Sequence, residues 1–109
     1  MLEVSPAAGS PEPRPHPRQR AWVEVREASI QANARHLLAH LAPGSALMAV
    51  VKADGYGHGA VPVARAAAAG GASCCGVATL QEGVELRQAG LQHPVLVLGN
   101  LTQPEELRT

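Results

Sequence analysis

Phenylalanine is absent from this 109-residue chain, and tryptophan and tyrosine occur once each, at Trp22 and Tyr56. A core built without aromatics rests on small aliphatic side chains. It packs closely but gains little per residue, because transfer free energy follows apolar area. Lysine also occurs once, at Lys52. Nine basic and nine acidic residues give a net charge of zero. That removes the basic patch by which proteins meet nucleic acid or an anionic membrane. The apolar runs at 47–51 and 95–98 fall far short of the roughly 20 residues a membrane helix needs. The N-terminus has no apolar segment of the kind that marks a secretory signal. The expectation is a soluble, cytoplasmic protein with neither nucleic acid nor membrane as partner. The two cysteines, Cys74 and Cys75, are adjacent. A disulfide between neighbours is strained and no CxxC spacing exists, so they read as small thiols at the start of a strand.

What the chain does have is ordered along its length. Residues 1–20 hold Pro6, Pro11, Pro13, Pro15 and Pro17 with no apolar period, and read as a disordered, proline-rich tail. "AWVEV", residues 21–25, suits a short strand. Ile30, Ala34, Leu37, Leu38 and Leu41 form one helical stripe, predicting a helix over about 28–41 that Pro43-Gly44 ends. "LMAVVK", residues 47–52, is an unbroken apolar run, as in a parallel strand buried on both faces. "AVPVARAAAA" reads as a helix with Pro62 in its first turn and Gly70-Gly71 as its stop. "CCGVAT" and "VLVLG" are two more strands. Thr79–Glu82 and Thr102–Glu105 match capping boxes, each opening a helix. The resulting order is β-α-β-α-β-α-β-α, a parallel α/β arrangement with right-handed crossovers. A closed (β/α)₈ barrel needs about 250 residues. Residues 21–109 therefore read as the incomplete N-terminal portion of a longer α/β barrel, folding poorly alone.

The chemistry concentrates in "AVVKADGYGHG", residues 49–59. Lys52 ends a strand at its carboxyl side, the face on which α/β proteins place their sites. Partial loss of water there favours a neutral amine, able to form a Schiff base with a carbonyl cofactor; the alternative is a lysine extending to solvent. Gly55, Gly57 and Gly59 permit tight turns and a close backbone approach to a ligand. Tyr56, between two of them, either donates a hydrogen bond to an anion near the lysine or packs within the loop. The same glycines formally match G-x-G-x-x-A of dinucleotide-binding proteins. However, Lys-Ala-Asp separates strand from first glycine, and the next strand ends at Thr79 rather than on an acidic residue. His36 and His40 share a helix face, but no third ligand accompanies them and no metal site is expected.

These residues resemble a known family. "AVVKADGYGHG" is similar to the cofactor-lysine signature of the alanine racemases, and "AWVEV" with "IQAN", "GVATLQEGVELRQAG" and "PVLVLGN" resemble the flanking segments. Arg26-Glu27 depart from the Asp-Leu pair common there. The resemblance implies a (β/α)₈ barrel with a C-terminal β domain, a homodimer, and interconversion of L- and D-alanine for cell-wall supply. It implies that Lys52 binds pyridoxal 5'-phosphate covalently and acts as one catalytic base. Tyr56 would bond the cofactor phosphate, and Leu98 would lie near the cofactor. The family's second base, a tyrosine of the partner subunit, has no counterpart in these residues, so the 109-residue chain is expected to be inactive by itself. A non-catalytic pyridoxal-phosphate carrier and a decarboxylase on a related barrel are the alternatives.

Overall fold

The computed structural model describes residues 20–108. Most of the proline-rich segment, residues 1–19, lies outside the described residues. Helix α1 (Glu27–His40) is followed by strand β1 (Met48–Val50), the single turn α2 (Lys52–Tyr56) and helix α3 (Ala60–Ala69). Strand β2 (Cys74–Val77), helix α4 (Leu80–Gln88), strand β3 (Val95–Val97) and a 3₁₀ helix (Pro104–Arg108) complete the order.

The three strands form a parallel sheet in the order β1-β2-β3, with Val50 opposite Gly76 and Gly76 opposite Leu96. Each new strand is added on the same side of the last. Right-handed crossovers then put the helices on a single face, as in a barrel wall. On that face Val51, Cys75 and Val77 pack with Ala64, Leu86 and Leu91 into one core. A smaller cluster of Ala34, Ala67 and Ala72 joins α1 to α3. Gly70 allows this approach: a Cβ there would press into the Gln31 carbonyl oxygen and sit 2.8 Å from Ala34 Cβ.

Several expectations from the sequence are corrected. The strands are covered on one face only. Met48, Val50, Leu96 and Leu98 are exposed on the other, between 37% and 51% of their surface. An unbroken apolar run cannot distinguish a strand covered by helices on both sides from one whose second face is a barrel interior. "AWVEV" forms no strand: Trp22 and Val23 are exposed and only Val25 is buried. β-propensity needs a partner edge to act on, and among the described residues no strand pairs there. The last helix is a 3₁₀ helix rather than an α-helix. Its carboxylate cap is Glu106, not Glu105, accepting from the Thr102 and Gln103 amides. The helix begins at Pro104, one residue later than read, so its third position is Glu106.

The remaining boundaries follow local chemistry. Helix α3 spans the ten residues read from the sequence. The Thr79–Glu82 box is made in both directions, with the Glu82 amide donating to the Thr79 hydroxyl at 3.2 Å and the Thr79 amide donating to Glu82 Oε1 at 2.9 Å. Arg26, at the start of α1, offers no side-chain acceptor, so that helix begins without a side-chain cap.

Candidate functional site

The Val51 amide makes the last rung of β1, donating to the Gly76 carbonyl at 2.8 Å, and the Val51 side chain is fully buried. The chain leaves the sheet immediately afterwards. Lys52 therefore lies past the end of the strand and is not its last residue. Ala53, Asp54, Gly55 and Tyr56 all have φ between 52° and 65°, so the turn is left-handed. Only Gly55 adopts that region freely. The other three each incur a cost on the order of 1–3 kcal/mol.

Local bonds hold this turn. The Gly55 amide donates to the Val51 carbonyl at 2.9 Å and the Gly59 amide to the Asp54 carbonyl at 2.8 Å. The Asp54 carboxylate accepts from the Ala60 amide at 2.9 Å, fixing the entry to α3. His58 Nδ1 lies 3.1 Å from the Gly55 carbonyl oxygen, so its ring shapes the loop. Gly55 is buried, and a Cβ on it would meet Ala60 and Val63 at 3.3 Å.

The product of this geometry is a lysine and a phenol side by side. Lys52 Nζ lies 6.0 Å from the centroid of the Tyr56 ring. Lys52 is half-buried and Tyr56 is exposed. Among the described residues no carboxylate pairs with the amine. Leu98 stands at the same carboxyl edge of the sheet, across β2 from the lysine. Its amide donates to the Val77 carbonyl at 2.7 Å, and its side chain lies on the uncovered face against Gly76. The structure thus brings Lys52 and Tyr56 together and sets Leu98 at the same rim. His40 Nδ1 is 2.7 Å from the His36 carbonyl oxygen, so this ring is committed to its own helix.

An available amine beside a phenol donor, at the open end of a parallel sheet, fits an aldehyde that also carries an anionic group. The amine can attack the carbonyl carbon, and the phenol can donate to the anion. This chemistry matches pyridoxal phosphate.

Sequence reasoning gave Glu82 only a local role in capping α4. In the structure its carboxylate reaches further. Oε2 accepts from the Ala53 amide at 2.7 Å, the first residue of the left-handed stretch, while Oε1 accepts from the Ala78 and Thr79 amides at 2.9 Å. Partial burial pushes this carboxyl up, but donation by those three amides and the Thr79 hydroxyl outweighs it and holds the group below the ordinary carboxylate value. The capping motif was the available signal; the contact across 29 residues was not.

Fold and site together define a class: the opening wall of an α/β barrel with a lysine at the carboxyl rim of its first parallel strand. The particular family follows from comparison with known proteins. The family profile described as "Alanine racemase, N-terminal domain" matches residues 25–109. An alanine racemase of Prochlorococcus marinus is 62% identical over 91 residues, covering 84% of this chain and 24% of that protein. One from Nostoc is 53% identical over 90 residues, covering 83% of this chain and 23% of that protein. Among solved structures, alanine racemase from E. faecalis superposes with a TM-score of 0.69 at 49% identity, covering 70% of this chain and 20% of that one. The Bacillus anthracis alanine racemase with bound L-Ala-P gives 0.67 at 40% identity, covering 69% and 19%. The chain belongs to the alanine racemase family. It spans about a quarter of the length of the curated relatives it matches.

Proposed function

We propose that this chain provides the cofactor-lysine segment of a pyridoxal-phosphate-dependent alanine racemase that interconverts L- and D-alanine. The observation that carries the reading is Lys52, the only lysine present, held at the sheet's carboxyl rim beside Tyr56. Lys52 would hold the cofactor through its amine, Tyr56 would donate from its phenol to the phosphate, and Leu98 would line the pocket.

When bound, pyridoxal phosphate supplies an electron sink that makes the Cα proton of an amino acid removable. The residues of this chain do the rest on one face. The Lys52 amine would stand beside Cα on one face, taking its proton as the neutral amine and returning a proton as the ammonium. The left-handed turn fixes the direction from which the amine approaches. Inversion needs a second base on the opposite face, which the reading assigns to residues beyond these 109. The same reading places the whole protein in the cytoplasm as a homodimer, supplying D-alanine for the cell wall. Among the described residues no helix is long and apolar enough to cross a membrane.

The test uses the full protein with added pyridoxal phosphate. Borohydride reduction followed by mass spectrometry should place the pyridoxyl group on Lys52, and D-alanine should pass to an L/D mixture. Lys52→Ala should remove both the label at this site and the turnover. A label on another residue, or D-alanine left unchanged by the wild type, would defeat the reading; the second result is what a carrier gives. Carbon dioxide release would point to a decarboxylase instead.

A further inference from the structure

We propose that Glu82 is a positioning residue for Lys52: its carboxylate clamps the left-handed turn to the β2–α4 junction through the Ala53 amide, and so sets the place of the cofactor amine. The inference rests on the reading that Lys52 carries the cofactor, and extends it to a residue on a different element.

Three observations converge on this carboxylate. Three consecutive positions, Ala53, Asp54 and Gly55, hold φ/ψ near +50 to +65° and +35 to +47°, and Tyr56 continues the positive φ. Such backbone persists only where the surroundings over-determine it. The local bonds of the turn come from residues 51–60 and hold its two ends, to Val51 and to α3. The Ala53–Glu82 bond is different, because it reaches a further element, tying the amide next to Lys52 to α4, 29 residues along the chain. Leu86, one turn further along α4, is 1% exposed and anchors that helix.

The two oxygens also divide the work. Oε1 serves the Ala78 and Thr79 amides, and Oε2 serves Ala53. The same side chain therefore caps α4 with one oxygen and holds the lysine turn with the other. A charged acceptor suits this arrangement, since an amide side chain has only one oxygen. In Glu82→Gln that oxygen can keep the two capping donors, which leaves an NH₂ group facing the Ala53 N–H, donor against donor. This substitution separates the clamp from the cap. Thr79→Ala does the reverse: it removes the hydroxyl half of the cap and leaves the Ala53 bond in place.

The experiment uses the full protein, first freed of cofactor. Amide hydrogen exchange should show Ala53 protected on the order of tenfold or more relative to an unstructured peptide, although the residue is exposed. In Glu82→Gln that protection should disappear, while the Val51 and Leu91 amides, bonded to Gly76 and Leu86, keep theirs. The apparent affinity for pyridoxal phosphate should fall about ten- to a hundredfold, the range for a lost hydrogen bond to a charged group. Thr79→Ala should leave both readouts within about twofold of wild type, since the Ala53 bond is kept, and its lost cap should show in the melting temperature instead. A role confined to capping α4 would leave Glu82→Gln near wild type in both readouts. Ala53 exchanging at the peptide rate in the wild type overturns the clamp, even should Glu82→Gln fail to fold. So does unchanged protection in Glu82→Gln, or an affinity loss in Thr79→Ala equal to that of Glu82→Gln. If borohydride places no label on Lys52 of the wild type, the functional reading fails, and Ala53 exchange still decides the clamp by itself.

Discussion

At the residue scale, the site depends on backbone that most side chains avoid. Lys52 is carried on a turn where alanine, aspartate and tyrosine accept left-handed angles. Each is held by partners that can be named: Glu82 at Ala53, Ala60 at Asp54, and the loop glycines around Tyr56. Tyr56→Phe keeps this backbone and removes one donor. We expect it to retain the Lys52 label while weakening pyridoxal-phosphate binding about tenfold or more, measured by titration of the cofactor-free protein. The Glu82 carboxyl, held below its ordinary value, stabilises the fold fully above its unfolded value and loses that contribution as pH falls through the lower folded one. The difference in melting temperature between wild type and Glu82→Gln should therefore be largest near neutral pH. It should shrink below the ordinary carboxylate range. Cys75 is 2% exposed, and burial together with the neighbouring Cys74 pushes its thiol up. Under native conditions alkylation should reach Cys74 first, and Cys75 should react only on unfolding, as peptide mass mapping would show.

At the scale of elements, legibility tracked how local each signal was. The helix over Ala60–Ala69 and the Thr79–Glu82 cap are written in neighbouring residues, and the structure follows them. "AWVEV" failed because a strand is a property of two chains, and its partner edge is not found in its own sequence. The shift from Glu105 to Glu106 follows from the helix start, because with Pro104 as the first helical residue the third is Glu106. Glu82 was identified as a cap and missed as a clamp, because nothing in residues 79–82 refers to Ala53. The joint between α1 and α3 depends on the absence of a side chain at Gly70. Gly70→Ala should destabilise the chain by about 1–3 kcal/mol, the usual range for overpacking, through a forced separation of the two helices. Chemical denaturation would measure it. A loss below about 0.5 kcal/mol, the range of ordinary surface changes, would contradict the packing described here.

At the scale of the molecule, the sheet is covered on one face and bare on the other. Met48, Val50, Leu96 and Leu98 form an apolar surface that the helices of these residues do not reach. The isolated 109-residue chain should bind an apolar fluorescent dye through this face, and it should not racemise alanine. Racemisation by the purified chain would contradict the assignment of the second base to residues outside it. The match covers only 24% and 23% of those relatives, and their remaining chain is where the proposed reading seeks a second base and a cover for this face.

The sequence alone determined the parallel α/β class and most helix limits and singled out Lys52 and Tyr56 as candidate site residues, because apolar period, capping pairs and the glycine loop act over a few residues. Only the tertiary structure decided which sheet face is covered, that Lys52 sits past its strand on a left-handed turn, and that the Glu82 carboxylate reaches the Ala53 amide of that turn. Those outcomes depend on atoms brought together from distant positions, and a one-dimensional pattern carries no measure of that distance.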